Sequence, residues 1–365
     1  MSMPSIHRER RIGPCPLTNI AELRQALKAA QLLASTTDVA QMAQHLANSV
    51  LVGLPLPGHG NTSLRFVALM EIGAHDLALA RIIEAHVDAL AILSEAGDSV
   101  AAHTVGRMPL YGVWAARHPK TPLRAEPTSM GWQLNGSLPF CTGAREVDRA
   151  LVVASINNEQ VLFQLDSVEF PSCQNIVWHC AGMDRVPAST LTFSDYSIRT
   201  EQAIGLPGFY LQRRGFWCGA IGVAACWLGG AVGVLRKWRA LAAQRSPDPH
   251  ALAHLGASAA VIDAAAAHIH YAAALIDQSQ LSAAELRVAA VAVRHVVEQA
   301  CNDVINRMGR ALGPGPMIFD ASLAQQVADL SIYLRQSHAE RDLEALGRCV
   351  LSPAQPESGE IWSWL

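Results

Sequence analysis

Twenty consecutive residues, 216–235, read FWCGAIGVAACWLGGAVGVL and carry no charge, with Arg213-Arg214 before them and Arg236-Lys237 after. About twenty apolar residues suffice to cross a bilayer as a helix. Three properties argue for burial in protein instead. The run is rich in glycine and alanine, so it is only weakly hydrophobic. It is basic at both ends, whereas a membrane span carries its positive excess on one side. It is also apolar on every face, as the central helix of a bundle is. Gly219, Gly222, Gly229, Gly230 and Gly233 would let neighbouring helices pack closely against it. Such a helix needs others to cover it, and helical patterns follow over residues 210–244, 250–278 and 282–312, then within 322–351. Ser282-Ala283-Ala284-Glu285 is a capping-box pattern. Four long helices in sequence predict a bundle.

The chain has 365 residues, enough for two or three domains. Alanine dominates the apolar share and favours close-packed helices. A net charge of -3 offers no basic field for nucleic acid, and no nucleic-acid partner is expected. The cysteines form no CxxC pair, so neither a zinc site nor a disulfide framework is expected. The opening MSMPSIHRERRIG lacks the apolar core of a signal peptide. A reduced, cytoplasmic protein without a membrane span is the expectation.

Leu23, Leu27, Leu32, Leu33, Val39, Met42 and Leu46 recur at helical spacing and predict one or two helices over residues 20–51. Thr36-Thr37-Asp38 is the expected break and N-cap. Residues 54–61, LPLPGHGN, form an irregular loop. Thr62-Ser63 caps a third helix with Phe66, Leu69, Met70 and Ile72 on one face. A fourth helix over residues 76–96 completes an αα-hairpin. His75, His86 and His103 lack the i, i+4 pairing of metal ligands and are read as structural.

From Pro109 the pattern changes. Tyr111-Gly112-Val113-Trp114-Ala115 reads as a strand, and the proline-rich HPKTP stretch ends it. Strand signals recur at residues 151–154, 161–165, 175–178 and 190–193, predicting a compact antiparallel barrel or sandwich. Trp132-Gln133-Leu134 and residues 137–140 flank Asn135-Gly136, which accepts the positive φ angles of a two-residue turn, so a hairpin is expected there. Cys141-Thr142-Gly143-Ala144 is a small-residue break at the end of the return strand. Such a break lets a ligand approach the backbone. Read from the residues alone, such a hairpin is scaffold first and a ligand wall second.

The pattern G-W-x-L-N-G-x-x-x-F-x-T-G-A beginning at Gly131 resembles the middle β-domain of the acyl-CoA dehydrogenase superfamily. The form F-C-T-G-A is closer to the flavin monooxygenase branch than to the fatty-acid branch. The resemblance extends across nearly the whole chain. It implies an α+β multidomain, acyl-CoA dehydrogenase-like fold. An α-helical N-domain would occupy residues 1–108 and an antiparallel β-barrel domain residues 109–205. A C-terminal four-helix bundle would occupy residues 206–352, with a tail over 353–365 whose Trp362 and Trp364 could dock on a neighbouring subunit. It implies a homodimer or homotetramer that binds FAD, or FMN. Phe140, Cys141, Thr142 and Gly143 would lie along the isoalloxazine ring, with Thr142 hydrogen-bonding near its reactive edge. Trp114 would stack near the ring. Arg245 aligns with the arginine that reaches the pyrophosphate. Gly313 and Gly315, in Gly-Pro-Gly-Pro, match a turn that meets the dinucleotide across a subunit interface. From the residues alone, Trp114 is equally a core residue, Arg245 a solvated loop residue and the glycines a helix stop. The acidic, glycine-rich signature after the first strand is replaced here by WAARHPKTPLRAEP, and the phenylalanine-glycine pair after the arginine is replaced by SPDPHAL.

Fatty acyl-CoA dehydrogenases carry a catalytic glutamate at a position that falls here near Ser337-His338. No glutamate stands there. Glu340 is displaced and, on a continuing helix, faces another direction. Arg335, His338 and Asp342 resemble the monooxygenase branch, where a histidine lies over the flavin. His338 is therefore the expected catalytic proton-transfer group, oriented by Asp342 one turn later. A surface helix with an i, i+4 ion pair is the other reading of the same residues. The implied function is flavin-dependent oxidoreduction of an acyl thioester or related small organic substrate. The alternatives are a reduced-flavin-dependent monooxygenase using a C4a-hydroperoxide, and a non-catalytic member acting as a binding or assembly protein.

Overall fold

The computed structural model describes residues 20–33, 38–97, 107–157, 159–186, 188–244, 246–278 and 281–351. Four helices come first: α1 (Ile20–Leu33), α2 (Val39–Ala47), α3 (Thr62–His75) and α4 (Leu77–Glu95). Two of them begin on aspartates. The Asp38 carboxylate accepts from the amides of Ala40 and Gln41, and that of Asp76 accepts from Leu79. These bonds satisfy amides that the first helical turn leaves without partners. The start of α3 differs from expectation. Asn61 is its N-cap, and the Thr62 hydroxyl instead accepts from the Gly58 amide and donates to Asp277 at 2.6 Å.

Strands β1 (Tyr111–Trp114), β2 (Arg124–Thr128), β3 (Gly131–Thr142), β4 (Arg149–Ile156), β5 (Glu159–Asp166), β6 (Ser172–Asn175), β7 (Ala188–Arg199) and β8 (Ala203–Ile204) follow. They form one sheet in the order β6-β7-β3-β2-β4-β5-β8, with β1 paired to β4 in parallel. The path is open, and β2 joins β4 through a single parallel register pair, Arg124 with Ser155. A wholly antiparallel closed barrel is thus replaced by a mixed, open sheet.

The hairpin expected at Asn135-Gly136 does not form. Strand β3 runs through these residues and pairs with β7 along most of its length. The pair sits at a bulge, where the register shifts between Leu134 and Gly136. Gly136 has φ +120, and a Cβ there would stand 2.4 Å from the Pro122 carbonyl oxygen. The Asn135 side chain accepts from the Asp195 amide at 2.7 Å, filling the place of a skipped ladder bond. Positive φ and a side-chain acceptor suit a bulge as well as a turn. The actual two-residue turn is Ser129-Met130, between Thr128 and Gly131. The strand expected at residues 175–178 also shifts, to β6, which ends at Asn175.

After the short α5 (Phe209–Gln212) come α6 (Gly215–Ala243), α7 (Pro249–Asp277), α8 (Ala283–Leu312), α9 (Gly315–Phe319), α10 (Ala321–Tyr333) and α11 (Glu340–Leu351). The uncharged run lies in α6, which packs on α3, α4, α7, α8 and α10. Its contact with α3 is backbone to backbone. A Cβ on Gly229 would meet the Met70 carbonyl oxygen at 2.1 Å, and one on Gly73 would meet that of Cys226 at 2.4 Å. By length and composition α6 and α7 are both capable of crossing a membrane, but the apolar stretch of α6 is 72% buried inside the protein and that of α7 28%. Ser282 and Glu285 form the expected capping box of α8. One continuous core runs from α1 through the sheet into the bundle. A smaller core joins Tyr111, Leu151, Leu162 and Tyr210 with α4.

Candidate functional site

A cavity of about 630 Å³ lies between the sheet, α4 and the end of α10. One wall is built by β1 and the end of β3. Trp114 is 2% exposed, meets Phe170 edge-on at 5.2 Å between ring centroids, and donates its indole N–H to the Thr142 carbonyl at 3.0 Å. Between Leu138 and Cys141 the β3–β7 register shifts again, and Phe140 takes φ +56. That conformation is unfavourable for a residue with a Cβ. It turns the Phe140 ring outward onto the cavity, where the side chain is 57% exposed. Thr142 lines the same wall, and its hydroxyl has no protein partner among the described residues.

The opposite wall comes from the end of α10. Ile332 and Tyr333 close the helix, a single 3-10 turn over Leu334–Gln336 follows, and the chain breaks at Ser337-His338 before α11. Tyr333, Arg335, Gln336 and His338 all face the cavity. His338 therefore sits in a loop between helices, not on a continuing helix, and its side chain is 66% exposed at the cavity rim. Its Nδ1 lies 3.6 Å from the Asp342 carboxylate, longer than a hydrogen bond, and Asp342 itself is outside the lining. Glu340 opens α11 and also stands outside it. Among the described residues no carboxylate lines this cavity.

The other residues singled out from the sequence are not brought together. Cys141 points the opposite way from Phe140: its side chain is fully buried in the core, its thiol donates to the Leu138 carbonyl, and burial pushes it up to about 12. The thiol faces the core because strand alternation resumes after the bulge, so Cys141 offers the cavity no side chain. Gly143 has φ +66 and turns the chain toward Val147 without lining the cavity. Gly313 ends α8 with φ +65 and Gly315 begins α9; both stand away from the cavity, with nothing within 4 Å of a Cβ built on either. Arg245 and the two tail tryptophans lie outside the described residues.

Several lining residues escape sequence reading. Trp178 reaches the cavity because its indole donates to the Gly182 carbonyl at 2.8 Å, in a loop that had read as strand. Arg81 reaches it from α4 and forms a short ion pair with Glu84. The Tyr333 hydroxyl lies 3.5 Å from the same Glu84 oxygen. Burial pushes the Glu84 carboxyl up, against the pull of Arg81. Arg81, Glu84 and Asp88 stand at i, i+3 and i+7 on α4, a polar stripe that marks a helix face in the sequence without saying which cavity it meets.

No protein-family model matches the sequence, and no curated protein matches it. Solved structures do match in three dimensions. TdsC from Paenibacillus sp. A11-2, in complex with FMN and indole, superposes with a TM-score of 0.78 at 17% identity, covering 91% of this chain and 96% of that one. Butyryl-CoA dehydrogenase from Megasphaera elsdenii gives 0.72 at 17% identity over 90% and 98% of the two chains. The methanesulfinate monooxygenase MsuC from Pseudomonas fluorescens gives 0.75 at 16% identity over 93% and 98%. The chain has the acyl-CoA dehydrogenase fold. At these identities the likeness defines the fold and leaves the chemistry to the site.

Proposed function

We propose that the protein is a flavin-dependent oxidoreductase working as a reduced-flavin monooxygenase on a small organic substrate. The observation that carries this reading is the lining of the large cavity. An aromatic wall, a free threonine hydroxyl and a histidine converge on it, and no described carboxylate does. Abstraction of an α-proton from an acyl thioester calls for a strong general base near the reacting carbon; a histidine at the rim suits proton delivery near neutral pH. The cavity volume and the flat aromatic wall fit an isoalloxazine ring. Phe140 would bear on the ring, the Thr142 hydroxyl would bond its edge, and Arg335 offers a guanidinium to a phosphate. The flavin, when bound, supplies the redox chemistry. This chain would exclude water with Trp114, Trp178 and Met183, and would move a proton at His338 Nδ1 or Nε2. FMN bound to TdsC and FAD bound to PigA in structures of the same fold support either nucleotide.

A homo-oligomer belongs to the same reading. Gly313 and Gly315 lie open at the end of α8, remote from this chain's own cavity. They would serve a cofactor only if it were shared with a second copy. Dehydrogenation of an acyl thioester remains the second reading, supported by the fold shared with butyryl-CoA dehydrogenase.

The test is the absorbance spectrum of purified protein titrated with FAD and with FMN, followed by reoxidation of the bound, reduced flavin in air. Saturable binding with rapid reoxidation supports the monooxygenase. Binding with slow reoxidation, and bleaching by butyryl-CoA, moves the protein to the dehydrogenase reading. Absence of flavin binding removes both.

A further inference from the structure

A second chamber of about 200 Å³ adjoins the large cavity, the two sharing Arg81 and Val113 in their walls. Its remaining walls come from α4 (Glu84, Ala85, Asp88), from α6 (Phe216, Gly219, Ala220, Val223) and from Tyr210. On the α6 side a glycine stands opposite Asp88, and a Cβ at Gly219 would meet Asp88 Oδ1 at 2.8 Å. Tyr210 and Phe216 meet edge to face at 5.6 Å and give the chamber an aromatic end.

The charges around it are unevenly paired. Arg81 takes Glu84 Oε1 in a short bond, and the Tyr333 hydroxyl lies beside the same oxygen. Arg213 makes its better contact with Glu95, at 3.1 Å, and touches Asp88 only at 3.4 and 3.5 Å. Asp88 therefore keeps acceptor capacity on the chamber side. A carboxylate that is 20% exposed and so loosely paired favours a ligand that brings it a donor. The volume sets the size: a cavity of about 150 Å³ admits a benzene ring. An alkyl chain entering here would strip solvent from Arg81, Glu84 and Asp88 and return no hydrogen bond.

We propose that this chamber binds a small aromatic molecule carrying an N–H or O–H group, held by Asp88 against Tyr210 and Phe216, and that it rejects an acyl chain. The inference deepens the flavin reading, since a ring held there projects toward the large cavity past Arg81 and Val113. Its test does not require flavin.

Isothermal titration of the flavin-free full chain with indole and phenol should give saturable binding, while toluene of similar size binds at least about tenfold more weakly for want of a donor to a charged acceptor. Asp88→Asn should weaken indole by about ten- to a hundredfold and leave toluene unmoved. Because Asp88 also touches Arg213, Val223→Phe serves as an independent block: it fills the chamber without altering a charge and should abolish indole binding. Toluene binding as tightly as indole, or indole binding retained in Val223→Phe, overturns the proposal. A flavin titration on the same sample separates the two readings. Flavin binding without indole binding defeats the chamber alone, and indole binding without flavin binding defeats the flavin reading alone.

Discussion

Trp114 and Thr142 are joined by a 3.0 Å hydrogen bond from the indole N–H to the backbone carbonyl, and the bond ties together two strands that do not pair with each other. Strand β1 lies beside β4, and β3 lies between β2 and β7. Both residues line the large cavity, so the bond sets the spacing of the two halves of its wall. The buried indole has no access to water, so the carbonyl is the partner that makes its burial tolerable.

Trp114→Phe keeps an aromatic ring there and removes the donor. The Thr142 carbonyl loses its partner, at a cost of about 1–3 kcal/mol. Urea unfolding should show that loss, and the variant should also bind FAD or FMN more weakly as the wall loosens. A variant with unchanged midpoint and unchanged flavin affinity would mean that the bond fixes nothing.

Phe140 pays a conformational cost for its position. A left-handed backbone costs a residue with a Cβ about 1–2 kcal/mol, and a ring that is 57% exposed regains little by burial. Phe140→Gly should therefore raise stability against urea by about 1 kcal/mol while lowering flavin affinity. Opposite signs identify strain held for binding. A fall in both would make the ring an ordinary packing group.

The helical frame was legible because its signals are local. Asp38 and Ser282-Glu285 cap the helices they precede, and the uncharged run made α6 the centre of the bundle. The sheet was read less well. Asn135-Gly136 carries the chemistry of a turn and of a bulge alike, and only the long-range approach of Pro122 and Asp195 decides between them. The site followed the same division. Phe140, Thr142 and His338 were visible as a pattern and line one cavity. Cys141 was adjacent in sequence but lies on the other face of the strand. Arg81 and Trp178 come from elements distant in sequence, and no local signal says which cavity a helix face will meet.

His86 makes stability depend on pH. It is buried, its Nδ1 accepts from the Tyr111 amide at 3.3 Å, and burial followed by the charge of Arg65 holds its pKa down to about 4. The unfolded chain takes up this proton near pH 6.5 and the folded chain only near pH 4. The contribution is thus complete above pH 6.5 and is lost as pH falls toward 4, amounting to about 3 kcal/mol. Glu71, held near 2 by Arg24 and Arg236 against the penalty of burial, acts in a lower window, from about 4.5 downward. Urea midpoints measured from pH 8 to pH 4.5 should fall for the parent chain and fall less for His86→Gln. Parallel curves for the two proteins would show that His86 is not held neutral.

The last prediction concerns His338. The break between the 3-10 turn after α10 and the start of α11 puts its imidazole at the cavity rim, 66% exposed and open to both solvent and cavity. A group that passes protons between water and a reacting centre belongs in such a place. Asp342 stands 3.6 Å away, near enough to attract an imidazolium and too far to hold a neutral ring by a hydrogen bond. The two residues should therefore separate kinetically. His338→Ala should reduce turnover of an identified substrate by at least about a hundredfold, with flavin affinity nearly intact. Asp342→Asn should cost only a few-fold, since exposed ion pairs are worth about 0–1 kcal/mol. A His338→Ala enzyme with near-normal turnover would return this histidine to the surface of the molecule and leave the proton to water or to Tyr333.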